Sequence, residues 1–114
     1  MKSGQPIPFD ELKPQPAANG FNVAELLQYP GFEMAYLSCE KEAGHDSHFH
    51  DDAHEVLVFL EGACVFSVEE RDYQVQAGAL IHLPPGVKHK VGRYQEGSKV
   101  LRIKFNPTVK EGVA

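Results

Sequence analysis

From Gly31 onward, the hydrophobic positions fall into short runs separated by turn-forming residues, and β-branched and aromatic residues dominate these runs. Such a pattern is typical of an all-β sandwich or barrel, and the 3.6-residue repeat of an amphipathic helix is absent. The pattern predicts strands over residues 32–39, 47–50, 55–60, 63–68, 73–76, 79–83, 89–91 and 99–105. Turn-forming residues, including Pro84-Pro85-Gly86 and the stretch 92–97, connect them.

Two of the predicted strands differ in how their apolar positions are arranged. Residues 99–105 alternate, with Leu101, Ile103 and Phe105 on one face and polar or smaller side chains on the other. Residues 55–60 are apolar on both faces apart from Glu55. A strand of this kind is expected to be covered on both sides, by a second sheet or by another subunit.

The N-terminal segment has a different character. Residues 1–20 contain four of the eight prolines, which favours an extended arm or edge strand lying on the body of the fold. Residues 22–28 fit either a helical turn or an extended segment. The chain of 114 residues is the size of one domain, so we predict an arm over residues 1–30 and a single barrel over residues 31–114.

Charge and composition exclude several classes of function. Sixteen acidic residues against eleven basic ones give a net charge of −5, which disfavours nucleic-acid binding. No run approaches the roughly 18 apolar residues of a membrane helix, and the N-terminal residues lack the apolar core of a signal peptide. We therefore expect a cytoplasmic protein in which Cys39 and Cys64 are reduced core thiols.

Histidine is the most informative residue type, because four of the six histidines fall within positions 45 to 54. His48 and His50 form an H-x-H pattern on a predicted strand, so alternation directs both rings to one face. A hairpin brings Glu55 beside them, with His54 on the opposite face, and His89 joins if the barrel closes. These groups bind divalent metals. A solvated surface turn is the more common explanation of an isolated H-x-H, so the spacing alone leaves both interpretations open.

Two longer motifs contain these residues. His48, His50, Glu55 and Gly62 have the spacing H-x-H-x(4)-E-x(6)-G, and residues 78–89 have the spacing G-x(5)-P-x-G-x(2)-H, ending at His89. Fifteen residues separate the two motifs. Over about residues 32–105 the chain thus resembles the cupin superfamily, in its small single-domain form.

The resemblance implies an all-β fold, the double-stranded β-helix or jelly-roll barrel, with one divalent metal ion inside. It also implies the metal ligands His48, His50, Glu55 and His89. Iron, manganese, zinc, nickel and copper all accept this ligand set, so the metal is not identified.

Similar small cupins include dioxygenases, isomerases of keto-sugars and keto-acids, and cyclases. We therefore expect an oxygenase or isomerase acting on a small, oxygen-rich, metal-chelating substrate; the alternative is a non-catalytic sensor that binds a small ligand. No catalytic residue is assigned, although Tyr36, Tyr73 and His82 are candidates for a general base. An anionic substrate would be attracted by the metal, Arg93 or Arg102.

The expected partners are a small-molecule substrate or ligand and a second copy of the chain, with neither nucleic acid nor membrane. The strand that is apolar on both faces and the proline-rich arm favour a homodimer, which similar cupins commonly form.

Overall fold

Two antiparallel sheets of six strands each form the body of the fold. The structure is a computed structural model that describes residues 4–44, 48–49, 52–90 and 92–107, with side chains for all of these except 48 and 49. In chain order, the strands are β1 (Gln15–Pro16), β2 (Asn22–Tyr29), β3 (Phe32–Ser38), β4 (Ala43–Gly44), β5 (His48–Phe49), β6 (His54–Glu61), β7 (Ala63–Val68), β8 (Arg71–Gln76), β9 (Leu80–Leu83), β10 (His89–Lys90), β11 (Arg93–Tyr94) and β12 (Lys99–Phe105).

The first sheet has the order β1-β2-β3-β12-β6-β9, and the second has the order β4-β11-β7-β10-β5 with β8 on the other side of β7. Two short 3-10 helices, Phe9–Glu11 and Ala18–Gly20, precede β2. Among the described residues, no helix is long enough to cross a membrane.

The hydrophobic pattern explains most of these strands. β7 and β12 have the predicted bounds, and β3, β6, β8 and β9 lie within two residues of them. For the two strands at 47–50 and 89–91, the described parts are β5 and β10, while residues 47, 50 and 91 lie outside the described residues.

The structure decides the conformation of two segments, one that the sequence left open and one that it assigned to a turn. Asn22–Tyr29 is an eight-residue strand that pairs with β3, so the extended alternative is confirmed and the first sheet begins within the segment assigned to the arm. Arg93–Tyr94 was predicted as part of a turn, and this is wrong: it pairs with Ala43–Gly44 and with Cys64. A two-residue strand is too short to show a hydrophobic period, and only the distant pairing partners stabilise it.

The core lies between the inner faces of the two sheets. Along β6, the buried side chains alternate with partly accessible ones, so that Leu57 and Phe59 face inward. Phe66 on β7 and Val100 on β12 complete the centre of the cluster, each at most 1% exposed. Burying a side chain of this size contributes about 1.5–3 kcal/mol, so these residues are a principal source of the barrel's stability.

The outer face of the first sheet is also apolar. On β6 and β12, Val56 and Val58 lie opposite Ile103 and Leu101, and all four are only partly buried. At the sheet edge, Leu80 remains 63% exposed. The second apolar face that the sequence predicts is therefore present, and in the single chain it is only partly covered.

The N-terminal arm covers one part of this outer face. The ring of Phe9 stacks on Tyr36 of β3, with ring centroids 5.2 Å apart and planes 8° apart. Gln15–Pro16 pairs with the start of β2 as a short edge strand. Both contacts agree with the expectation that a proline-rich segment lies on the body of the fold.

Candidate functional site

Glu55 lies on the inner face of the first sheet. Its position on β6 alternates with Val56 and matches Leu57 and Phe59, so its side chain is directed into the barrel and is 8% exposed. Its neighbour across the sheet on β12 is Lys104, whose Nζ is 3.7 Å from Glu55 Oε2. The carboxylate is therefore held inside the barrel beside a cation.

His89 lies on the inner face of the second sheet, on β10. It is 4% exposed, and its ring packs on Phe66 with centroids 5.9 Å apart. His89 Nδ1 is 3.1 Å from the backbone oxygen of Val87. Because a carbonyl oxygen can only accept a hydrogen bond, Nδ1 carries a proton, so Nε2 is the ring nitrogen that could bind a metal. This arrangement is how proteins commonly orient a metal-binding histidine.

His48 and His50 are the other two predicted metal ligands. The backbone of His48 belongs to β5 and is paired with Lys90 of β10, whereas Phe49 is the residue paired with His89. The side chain of His48 and the whole of His50 lie outside the described residues, as does His45. Two of the four predicted ligands are thus located inside the barrel, and the assignment of the other two stays a prediction.

The chemistry of the located residues fits a divalent metal ion. A carboxylate and an imidazole with an oriented Nε2 are both typical ligands of such ions, and both are buried on inner faces. Within the set of described side chains, no group of three or more His, Cys, Asp or Glu is placed to hold a metal. A complete ligand set would therefore require the H-x-H segment that carries His48 and His50.

Arg102 also reaches the interior, from the inner face of β12. Its cross-strand neighbours are Ala35 and Leu57, which are both buried. The buried Nε of Arg102 has no hydrogen-bond partner among the described residues. Arg93, the other cation considered from the sequence, is instead exposed and forms a 3.1 Å ion pair with Glu42.

Tyr94 is an interior residue that the sequence did not single out, because it lies in the segment predicted as a turn. It is 4% exposed, and burial raises the pKa of its phenol far above the usual value. The nearby Cys64 and Glu55 add to this rise in pKa, while Arg102 opposes it. The phenol is therefore neutral at physiological pH and close enough to Glu55 and Arg102 to interact with both electrostatically.

Two of the three residues considered as general bases lie outside this interior. Tyr36 is on the outer face of β3 under Phe9. Tyr73 on β8 is paired with Phe66 of β7, so it shares the inward face of the second sheet, and it is 45% exposed. His82 alternates with the inward-facing Leu83 and so is directed outward. Tyr36 and His82 are therefore not positioned to act on a ligand inside the barrel.

His54 is on the outer face, as strand alternation predicted. Its ring stacks on Phe105, with centroids 4.8 Å apart, and its Nδ1 is 2.9 Å from His82 Nε2. The two imidazoles thus share one hydrogen bond on the outer surface of the first sheet, and His54 is separated from the interior by the sheet itself.

The two cysteines are free and buried. Burial raises the pKa of the Cys64 thiol to about 12, and it also raises the pKa of Cys39. Both are consistent with the reduced core thiols expected from the sequence.

Comparison with known proteins agrees with this architecture. A family model described as the cupin domain matches residues 36–103, more than half of the chain. An uncharacterized protein of Methanocaldococcus jannaschii is 26% identical over 88 residues, which cover 73% of this chain and 70% of that protein.

Two solved structures have closely similar folds. KdgF from Halomonas sp. superposes with a TM-score of 0.74 at 13% identity, covering 90% of this chain and 94% of KdgF. The polyketide cyclase RemF from Streptomyces resistomycificus superposes with a TM-score of 0.70 at 16% identity, covering 96% of this chain and 86% of RemF. At such low identities the similarity concerns the fold, and it confirms the predicted all-β jelly-roll barrel. Together with the match of the domain model, it establishes that this chain belongs to the cupin family.

Proposed function

We propose that this protein is a metal-dependent cupin enzyme that acts on a small, oxygen-rich substrate inside the barrel. The proposed ligands of one divalent metal ion are His48, His50, Glu55 and His89. The observation that carries the proposal is the hydrogen bond from His89 Nδ1 to the Val87 carbonyl, 3.1 Å long, which leaves Nε2 as the nitrogen that could bind the metal. Metal-binding histidines commonly donate their other ring N–H to a backbone carbonyl in this way.

The charged neighbours of Glu55 add to this support. An isolated carboxylate inside a protein is costly, and here Lys104 lies 3.7 Å from Glu55 on the same inner face. The cation compensates part of the buried charge and orients the carboxylate. The fold therefore retains a carboxylate among apolar side chains such as Leu57, at a position where an apolar residue would pack more simply.

A divalent metal held by these groups would supply a Lewis acid with open positions for a chelating substrate. The barrel's residues would then bind and orient the substrate and exclude water from it. Leu57, Leu83 and Phe66 form apolar parts of the barrel wall beside Glu55 and His89, and they would shelter a bound substrate from solvent.

Two reaction types fit this site, an oxygenase and a keto-sugar or keto-acid isomerase. RemF, which has a similar fold, is a polyketide cyclase, and this supports the proposal of an enzyme. Of the candidate general bases from the sequence, Tyr36 and His82 lie outside the barrel interior, whereas Tyr73 shares the inward face of Phe66. An isomerase could use Tyr73 as its base, and the test below distinguishes the two reaction types.

The test is to load the purified protein with iron, manganese, zinc, nickel or copper in turn and to offer each form a diketone, a thiol and an open-chain keto-sugar. Oxygen consumption identifies the oxygenase type, and oxygen-independent loss of the keto-sugar identifies the isomerase type. The variant His89→Ala is expected to lose metal and activity together. His82→Ala is the matched control, because this histidine lies on the outer face, and it is expected to retain both.

Tight binding of a substrate with no product over hours would contradict the enzymatic proposal. That result would instead support the alternative, a sensor that captures a small ligand without turnover. Full metal content in His89→Ala would contradict the metal site itself.

A further inference from the structure

Arg102 presents an uncommon environment for an arginine. It lies on the inner face of β12, one inward position from Lys104, and between the buried residues Ala35 and Leu57 of the neighbouring strands. Its Nε is fully buried and has no hydrogen-bond partner among the described residues. A buried donor without a partner is unfavourable, so an arginine here needs a reason other than stability.

The cross-strand neighbours of Arg102 offer it no hydrogen-bond acceptor. Ala35 on β3 and Leu57 on β6 have only hydrocarbon side chains. Arg102 as a whole is only partly buried. The site therefore combines an unsatisfied buried donor with neighbours that cannot satisfy it.

The charges that face this region come from four strands. Lys104 on β12 is paired with Glu55 on β6, and Glu33 on β3 is opposite Lys104 at the end of the sheet. Tyr94 on β11 is neutral and in electrostatic range of Arg102. Among the described residues no carboxylate forms an ion pair with Arg102, and Glu55 pairs with Lys104 instead. Within this part of the chain the charge of Arg102 therefore has no counterion.

We propose that Arg102 binds the carboxylate of a small organic acid inside the barrel and so determines the substrate class. The planar guanidinium matches a carboxylate with two parallel hydrogen bonds, and the Nε that lacks a partner is one of the donors in that arrangement. The inference deepens the proposed function, because it takes the barrel interior as the substrate site and assigns an anionic substrate to it.

The experiment is isothermal titration of metal-free and metal-loaded protein with malonate, with its dimethyl ester and with inorganic phosphate. Malonate is expected to bind, and the uncharged ester is not. Arg102→Gln is expected to weaken malonate binding by about tenfold or more in both forms of the protein. Arg102→Lys keeps the charge but loses the two-point geometry, and an intermediate loss is expected.

Arg93→Gln is the matched control, because this arginine is exposed and paired with Glu42, and its malonate affinity is expected to equal that of the wild type. Circular dichroism establishes that each variant is folded; if Arg102→Gln is not, Arg102→Lys decides. Wild-type affinity in the folded Arg102 variants would overturn the proposal. Stronger Arg102-dependent binding of phosphate than of malonate would overturn the assignment to a carboxylate.

Metal analysis of the same samples separates this inference from the proposed function. If the wild type binds no metal but binds malonate through Arg102, the metal proposal fails and the anion site stands. If metal is bound and the Arg102 variants bind malonate normally, the anion site fails and the metal proposal stands.

Discussion

Replacing Gly62 by alanine tests how the turn between β6 and β7 is built. Gly62 has φ +84°, a conformation that costs an L-residue roughly 1–2 kcal/mol. An added Cβ would overlap the hydroxyl of Ser98 and lie 2.7 Å from Ser98 Cα. Ser98 is 1% exposed, and its Oγ donates a 3.3 Å hydrogen bond to the Ala63 carbonyl, so it cannot move freely. Overpacking of this kind adds about 1–3 kcal/mol, for a total loss of about 2–5 kcal/mol.

Gly78→Ala is the matched control for this substitution. Gly78 has φ +91°, yet a Cβ there would meet no described atom within 4 Å. Both variants lose the same backbone freedom in the unfolded state, so the difference between them isolates the contact with Ser98. Urea unfolding followed by circular dichroism measures both. Equal destabilisation of the two variants would refute the reasoning, since it would mean that the packing against Ser98 contributes nothing.

Three further predictions concern a turn, the thiols and the outer sheet face. Glu69 and Glu70 form the turn between β7 and β8, and their φ angles of 49° and 65° are unfavourable for glutamate. Asn-Gly prefers this conformation, so the double change should raise the free energy of unfolding in urea by about 1 kcal/mol. No gain in stability would contradict this. Burial raises the pKa of Cys64 to about 12 and also raises that of Cys39. Neither thiol should therefore react measurably with a disulfide reagent at pH 8 until the protein unfolds. Rapid reaction of the native protein would contradict this. We also propose that two copies of the chain pair through the outer face of the first sheet, where Leu80 is 63% exposed. The variant Leu80→Glu should then shift the sedimenting species from dimer to monomer. A wild type that is monomeric at micromolar concentration would contradict the pairing.

Alternation in the sequence was sufficient to predict the long strands. In β12, Leu101 and Ile103 face one side and Arg102 the other, and the register with β3 and β6 confirms this division. The strand 55–60 is an informative case, because apolar residues on both faces predicted two covered surfaces. The inner one is the core, and the outer one remains partly accessible in the single chain.

The short strands and the inner contacts could not be predicted in this way. Tyr94 lies in a two-residue strand that forms only because Ala43 and Cys64, distant in sequence, pair with it. The hydrogen bond of His89 depends on the loop geometry at Val87 and has no sequence pattern. Likewise, the missing partner of Arg102 Nε becomes apparent only when every neighbouring strand is in place.

The candidate metal site illustrates the same division. Spacing and alternation put Glu55 on an inner face and His54 on the outer one, and both are confirmed by the register of β6. The proposed pairing of Glu55 with His48 and His50 required the family resemblance, since a solvated turn explained the same spacing. It stays a prediction.

The most direct test of the central claim is the metal content of the purified protein and of the double variant His48→Ala, His50→Ala. We expect one divalent ion per chain in the wild type after loading and removal of excess metal, and none in the double variant. His54→Ala, on the outer face, should bind metal like the wild type. Full metal content in the folded double variant would contradict the proposed site.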